Sequence, residues 1–222
     1  LGANNALIID TTAPSAPSSL TTSATTTSDT TPAITGNAEA DSTVEVFSDS
    51  TSLGTITADS NGEFSFTPSS ALSAGSHSIT ATATDAAGNT SSASSALSVN
   101  ILTSRSDLKT AVDAWISNET SATATYGDIN TWDVSQITDF SQLFQNQESF
   151  NSDISSWDVS NGTDFTFMFR GSSSFNQDIT NWEVSSGTSF KGMFWGAIAL
   201  DQNLRVWSVN PEADIDFIFT DA

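Results

Sequence analysis

Oxygen-bearing side chains that could hold a cation occur at three places in the first hundred residues. The entry segment, a loop near residue 40 and a loop near residue 87 contribute Asp10, Glu39, Asp41, Asp85 and Asn89. If the first strand runs away from Pro17, both loops return to the end where the chain enters. Four or five carboxylate and amide oxygens suit Ca²⁺ better than Mg²⁺. The sequence therefore predicts a calcium site, with Asp41 its weakest ligand; alternatively, residues 85–89 form a plain polar turn and Glu39 is a solvated charge.

A second set of polar side chains follows a strict repeat in the last third of the chain. Four tryptophans, Trp132, Trp157, Trp182 and Trp207, stand 25 residues apart. If each tryptophan points inward on a strand, the residues beside it point outward, since side chains alternate. The outward set is Asp133, Ser135, Asp158, Ser160, Glu183 and Ser185. This acidic and hydroxylated row predicts a ligand-binding face; the alternative is a solvated face that keeps the protein soluble.

Catalysis is disfavoured by what the chain contains. There is no cysteine and His77 is the single histidine, which removes thiolate zinc sites and the Ser-His-Asp arrangement. Carboxylates that recur with the repeat have similar surroundings, whereas a catalytic pair needs surroundings that split its pKa values. We therefore expect that the protein is not an enzyme.

The charge balance restricts the partners. The net charge is −21 with only 5 Lys plus Arg, which disfavours nucleic acid because few cations could replace its counterions. Such an excess favours bound cations, for which calcium is the expected cofactor. No apolar run is long enough to span a membrane, and Leu1–Asn5 lacks the features of a signal peptide. We expect an extracellular, monomeric fragment of a longer chain, displayed on a bacterial surface.

The first half of the chain has the pattern of a β-sandwich. Pro14 and Pro17 hold an entry linker, residues 1–17, in extended conformation. Short alternating segments separated by turn residues follow, and we predict strands at Ser19–Thr25, Ala33–Gly36, Thr43–Ser48, Leu53–Ala58, Glu63–Thr67, His77–Thr84 and Ser91–Val99. The Asn61-Gly62 pair predicts a type I′ hairpin turn. Residues 1–101 are therefore predicted to form an all-β immunoglobulin-like sandwich.

The second half, residues 102–222, begins with a helical pattern and continues with the repeats. Leu108, Val112 and Trp115 have helical spacing behind Ser106-Asp107, which predicts a capping helix from Asp107 to Ser117. The rhythm Ile154-x-x-Trp157-x-Val159 is that of a leucine-rich repeat. The predicted fold is thus two domains, the β-sandwich followed by an α/β leucine-rich-repeat-like solenoid with an N-terminal capping helix.

Two segments resemble known bacterial families. The stretches 30–40 and 84–90, Thr-Thr-Pro-Ala-Ile-Thr-Gly-Asn-Ala-Glu-Ala and Thr-Asp-Ala-Ala-Gly-Asn-Thr, resemble the bacterial Ig-like domains that recur in tandem in adhesins. Residues 105–222, with motifs such as Ser174-Phe175-Asn176-Gln177-Asp178-Ile179, resemble the surface-protein repeats grouped with BspA-like leucine-rich repeats. The resemblances imply a calcium-stiffened extender and a surface-displayed module that binds a protein, peptide or glycan. A structural spacer without a specific ligand is the alternative.

Overall fold

The computed structural model describes residues 9–222, so the predictions for Leu1–Asn5 and the first half of the entry linker lie outside the described residues. Contacts group the chain into two compact units. The first comprises the described part of Leu1–Ser23 together with Thr31–Leu72 and His77–Ser98. The second comprises Ala24–Thr30, Ser73–Ser76 and Val99–Ala222. No helix within residues 9–222 combines the length and apolarity needed to cross a membrane.

Most strands lie close to their predicted positions, but the last one, predicted at Ser91–Val99, begins only at Leu97. The strands are β1 (Ser18–Thr21), β2 (Thr26–Thr27), β3 (Ile34–Asn37), β4 (Thr43–Ser48), β5 (Thr51–Thr57), β6 (Glu63–Phe66), β7 (Gly75–Thr84) and β8 (Leu97–Ile101). In the first unit, β3 pairs antiparallel with both β1 and β6. Strand β4 likewise pairs antiparallel with both β5 and β7. Alternate residues of β4 and β7, including Val44, Val46, Ile79 and Ala81, are fully buried between the sheets, as period-2 patterning requires.

The prediction that residues 59–62 form a type I′ turn between two paired strands is wrong. Strand β6 pairs with β3 and not with β5, so this turn leads from one sheet to the other. Its shape is set by Asp59, whose carboxylate accepts hydrogen bonds from the backbone N–H groups of Asn61 and Glu63 at 2.8 and 2.9 Å. A side chain that caps its own turn replaces the ladder bonds of a hairpin.

The first predicted strand, Ser19–Thr25, is divided in the structure. Strand β1 ends at Thr21, and the next segment joins the second unit, where Thr26 and Thr27 of β2 pair in parallel with Asn100 and Ile101 of β8. Thr26 and Thr27 are each 1% exposed. Their hydroxyls reach Tyr126 O and the Asp133 carboxylate, which satisfies buried polar groups that would otherwise be costly.

The predicted helix is confirmed, with a different cap. Helix α1 spans Arg105–Ser117 and buries Leu108, Ala111, Val112 and Trp115; a second helix, α2, spans Glu119–Tyr126. The N-cap is Ser104, two residues before the predicted Ser106, and its hydroxyl accepts from the Asp107 N–H. Asn118 both ends α1 and caps α2 through the Ser121 N–H.

The predicted α/β leucine-rich-repeat-like solenoid with its capping helix is wrong. The protein is mainly β-sheet with two α-helices, and beyond α2 the described chain has neither an α-helix nor a continuous strand. This part of the chain contains two short 3₁₀ helices, Ile129–Thr131 and Leu204–Val206. It also contains isolated parallel bridges between successive repeats, which join Asp139, Asp164, Ser189 and Asp214. Helix α1 therefore does not cap a leucine-rich-repeat array.

The reason lies in the residues around each tryptophan. Asp133 and Asp158 accept hydrogen bonds from the N–H groups of Ser135 and Ser160, two residues on, at 3.0 Å each. Tight turns follow, because the N–H groups of Gly162 and Gly187 donate to Val159 O and Val184 O. Local bonds of this kind compete with strand ladders. The apolar pattern is therefore met by successive turns, not by strands and helices.

Equivalent aromatic rings of neighbouring repeats contact one another. Phe165 lies 5.4 Å from Phe140 and 5.1 Å from Phe190, with interplanar angles of 3° and 4°. Phe169 stacks in the same way on Phe144 and Phe194 at 5.3 and 5.7 Å. All six of these rings are fully buried, whereas the equivalent side chains of the last repeat, Ile215 and Phe219, are exposed. The 25-residue period therefore determines which side chains contact one another, and the stacked rings form much of the core of the second unit.

A matching set of backbone hydrogen bonds joins the repeats. The N–H groups of Phe140, Gln142, Phe144 and Asn146 donate to carbonyl oxygens 24 residues further along the chain, at 2.7–2.9 Å. The next two repeats make the same four bonds. Each indole Nε1 of Trp157, Trp182 and Trp207 also donates to an isoleucine carbonyl of the repeat before it. These bonds satisfy polar groups that the ring columns would otherwise bury unpaired.

The ring columns give a stability prediction with an internal control. Phe169→Ala removes a fully buried ring with neighbours on both sides, so we expect the free energy of unfolding to fall by about 3–5 kcal/mol. Phe219→Ala changes the same column where the ring is 52% exposed, and we expect a loss below about 1 kcal/mol. Urea unfolding measures both; equal losses would contradict the assignment of the column as core.

Candidate functional site

Three of the five predicted calcium ligands lie together. The side-chain amide of Asn89 donates to Asp85 Oδ2 at 2.8 Å and to the carbonyl oxygen of Asp10 at 3.2 Å. The entry segment and the 85–89 turn therefore meet, as the strand order predicted. The Asp85 carboxylate also accepts from the N–H groups of Ala87 and Asn89 at 2.8 and 2.9 Å. Hydrogen bonding, chiefly from the Asn89 side chain, lowers the pKa of Asp85 below its ordinary value of 3.8.

The other two predicted ligands belong to a different turn. Ser42 donates both its N–H and its hydroxyl to the carbonyl oxygen of Glu39, and Asp41 takes a positive φ of 60°. Across residues 9–222, no three acidic or histidine side chains form a group that could hold a metal ion. The described residues thus bring Asp10, Asp85 and Asn89 together without Glu39 and Asp41, and the calcium site stays a prediction.

The acidic row has unequal surroundings. Asp133 is half-buried, whereas Asp158 and Glu183 are exposed. The Asp133 carboxylate accepts the hydroxyl of Thr27 at 2.6 Å, and its backbone N–H and C=O bond with Thr26 and Ser28 at 2.9 and 2.8 Å. Ser28 in turn accepts the N–H of Gln136. Asp133 therefore fastens the 24–30 segment to the first repeat, and its carboxylate is already engaged by Thr27.

The ionisation of Asp133 reflects two opposing effects. Partial burial opposes the charged form, which by itself would raise the pKa. Hydrogen bonds from Thr27, Ser135 and Ser28 outweigh burial, and the pKa of Asp133 is lowered from its ordinary value of 3.8. The carboxylate is thus held ionised by donors that belong to two separate parts of the sequence.

The remaining members of the row differ in how they are engaged. Asp158 accepts the Ser160 N–H at 3.0 Å, so it shapes its own turn while remaining exposed. Glu183 and Ser185 are both exposed. Ser135 and Ser160 are partly buried, and the Ser135 carbonyl accepts from the Asn161 side chain at 2.7 Å. Of the six residues predicted to form the ligand-binding face, three are therefore exposed: Asp158, Glu183 and Ser185.

The structure shows one cluster that sequence reasoning did not select. The guanidinium of Arg170 lies over two rings, 5.2 Å from the centroid of Phe167 and 4.7 Å from that of Trp195. Trp195 lies 5.9 Å from Phe217, and its indole N–H reaches Asp221 Oδ2 at 3.4 Å. Phe217 is 56% exposed. We call Phe167, Arg170, Trp195 and Phe217 the guanidinium–aromatic cluster.

A signal for this cluster was present in the sequence. Positions equivalent to Phe167 carry Gln142 and Gly192, and positions equivalent to Trp195 carry Gln145 and Thr220. Large aromatic side chains therefore break two columns that are otherwise polar or small. From the sequence, Trp195 could be either a core filler beside Phe194 or an exposed contact, and the structure places it at the surface, partly buried.

Comparison with known proteins identifies both parts of the chain. Residues 110–222 match the family described as Mycoplasma protein of unknown function, DUF285. Because this match spans half of the chain, the protein belongs to that family. Residues 6–103 match the bacterial Ig-like domain family, which confirms the first predicted resemblance. The predicted resemblance to BspA-like leucine-rich repeats and the origin in an adhesin are not confirmed by these matches.

One solved structure and the curated proteins complete the comparison. A biofilm associated protein, BSP domain, is 28% identical over 43% of this chain and 16% of its own length, with a TM-score of 0.33. The chain thus corresponds to a small part of that protein, and so low a TM-score supports no functional argument. No curated protein matches the chain.

Asp133 gives a prediction about acid stability. Because folding lowers its pKa, the stability it contributes is fully present above about pH 3.8 and is lost as the pH falls through the folded-state pKa. Asp133→Asn removes the charged acceptor of Thr27, and we expect a loss of about 1.5–3 kcal/mol at pH 7. The variant should also lose less stability than the parent between pH 5 and pH 2.

The matched control is Asp158→Asn, which changes an exposed acid in the same motif. We expect it to cost less than about 1 kcal/mol and to leave the acid sensitivity unchanged. Urea unfolding at several pH values measures both quantities. If Asp133→Asn kept the full acid sensitivity of the parent, the role given to this carboxylate would be wrong.

Proposed function

We propose that this member of the DUF285 family is a non-catalytic adhesion module of a bacterial surface. The Ig-like unit acts as an extender, and the repeat unit binds a protein, peptide or glycan on another cell or surface. The observation that carries the proposal is the bacterial Ig-like domain, matched over residues 6–103, directly before the repeats. A spacer without a specific ligand is the competing function.

The repeat unit has side chains that stacking does not explain. The core columns and the bonds between repeats use the aromatic residues, the tryptophan N–H groups and the backbone. Asp158 and Glu183 lie outside these contacts, one repeat apart, and both are exposed. Neither side chain adds to the packing of the core, which favours a role in binding. A cationic or calcium-bridged partner suits such a face.

The repeat geometry also supports a binding role over catalysis. Asp133 is more buried than the equivalent acids of the next repeats because it accepts hydrogen bonds from Thr27 and Ser28. Its burial therefore has a structural reason. Asp158 and Glu183, by contrast, lie exposed at the surface of the repeat unit. Binding through an open surface is typical of adhesion, which requires recognition of a partner and no chemical reaction.

The exposed acids provide the test of binding against spacing. We expect the full chain to bind a ligand on peptide or glycan arrays or on whole cells, and the Asp158→Ala/Glu183→Ala double variant to lose at least tenfold in affinity. Its stability should stay within about 1 kcal/mol of the parent, because relief of repulsion offsets the lost Ser160 bond. If neither arrays nor cells bound the parent, the spacer function would be preferred.

Calcium stiffening of the Ig-like unit is the finer part of the proposal, and it rests on the meeting of Asp10, Asp85 and Asn89. We expect calcium to raise the melting temperature of the chelator-treated protein, by the equivalent of about 2.7 kcal/mol at a hundred times the dissociation constant. Asp85→Ala should abolish this increase. Calorimetric scans with EDTA and then with added calcium measure it.

Asp59→Ala is the control for the calcium test. Asp59 caps its turn with two backbone bonds, as Asp85 does, but it is not among the predicted ligands. Both variants should lose a similar, small amount of stability without calcium, because each loses two hydrogen bonds to backbone N–H groups. Asp59→Ala alone should keep the calcium response. A parent protein that gave the same scan with and without calcium would remove the metal from the proposal.

A further inference from the structure

Arg170 has no acidic partner among residues 9–222, a property that it shares with Lys191 and Arg205 in a chain with 26 acidic residues and 5 basic ones. Within residues 9–222, its side chain donates no hydrogen bond to protein and forms no ion pair. Lys109, by contrast, pairs with Asp113, and Arg105 reaches the Ser141 carbonyl and lies 3.9 Å from Asp139. A guanidinium has five N–H donors in a fixed plane. Among residues 9–222, those of Arg170 have no protein acceptor.

The surrounding rings hold this guanidinium in place. Contacts of 5.2 Å to Phe167 and 4.7 Å to Trp195 lie within the range of cation–π attraction. Arg170 and both rings are partly buried, so the side chain has lost part of its rotational freedom before any ligand arrives. An arginine fixed by stacking loses less entropy when it binds than a free one.

The residues of the cluster fit one another across repeats. Gly192 lies in the column between Phe167 and Phe217, and a Cβ there would be 2.5 Å from the Phe167 ring. A glycine at this position therefore makes room for the ring that supports Arg170. Gly192 and Phe167 are thus matched across neighbouring repeats, and Arg170 stacks on the ring that this glycine accommodates. Stacking of the core needs none of them, which points to a site.

We propose that the guanidinium–aromatic cluster binds a single carboxylate carried by an apolar peptide segment. The planar N–H edge of Arg170 matches a carboxylate in bidentate geometry. Phe217, 56% exposed and 5.9 Å from Trp195, supplies an apolar surface for the side chain next to that carboxylate. A net charge of −21 repels extended polyanions, so an isolated carboxylate in an apolar context is the favoured partner over an acidic polysaccharide.

This site is separate from the acidic face in the proposed function. It takes a partner of opposite charge type, and it includes neither Asp158 nor Glu183. Its test can therefore fail while the binding assigned to those acids stands, and the reverse also holds.

The test uses the full chain, ¹⁵N-labelled, with the peptide acetyl-Leu-Phe-Asp-Leu-amide and its Asp→Asn counterpart. We expect the acidic peptide to shift the NMR signals of the Trp195 indole N–H and the Arg170 Nε–H. The Asn peptide should bind at least tenfold more weakly. Polygalacturonate serves as the polysaccharide probe, and stronger Arg170-dependent binding of polygalacturonate than of the peptide would overturn the choice of partner.

Variants separate recognition from general charge. Arg170→Gln should weaken the acidic peptide at least tenfold, and Arg170→Lys should also lose affinity because it keeps the charge without the planar fork. Arg205→Gln, which changes an exposed arginine in the same unit, should bind as the parent does. Thermal unfolding checks that each variant is folded. Unchanged binding by folded Arg170→Gln, or no binding by the parent, would overturn the proposal.

Discussion

The second unit depends on contact between identical aromatic positions one repeat apart. In the column Phe140, Phe165 and Phe190, adjacent rings lie 5.1–5.4 Å apart and almost parallel. This spacing requires that each repeat advance by the same small distance. An insertion of one residue would move a ring out of its column and a polar residue into it. The backbone bonds between repeats have the same spacing, so ring packing and hydrogen bonding impose one constraint together.

This constraint explains why the surface, and not the core, can vary. Core columns must keep a ring or an aliphatic side chain in every repeat, since a smaller one leaves a cavity. Positions that face outward are free of this requirement, and they differ from repeat to repeat, as Gln142, Phe167 and Gly192 do. Both the exposed acids Asp158 and Glu183 and the guanidinium–aromatic cluster occur at such positions. The core therefore acts as a scaffold on which separate binding surfaces can be placed.

Short polar side chains determine the backbone path as strongly as the apolar ones. Asp59, Asp85, Asp133 and Asp158 each accept N–H groups two residues further along the chain. An acidic composition thus serves two purposes, because the same carboxylates that give the protein its negative charge also shape its turns. This is why the leucine-rich-repeat rhythm around Trp157 did not produce a strand: the neighbouring Asp158 and Ser160 satisfied each other locally.

Much of the fold followed from the sequence, because periodicity reports burial directly. The strands of the first unit, helix α1, the inward tryptophans and the meeting of Asp10 with the 85–89 turn were all predictable. Other features depended on contacts between distant residues. Nothing in Thr26–Thr27 indicates pairing with β8 or bonding to Asp133, 106 residues after Thr27, and nothing in Arg170 indicates its place between two rings. Local pattern determined which residues are buried; only the tertiary structure decided which polar and charged groups meet.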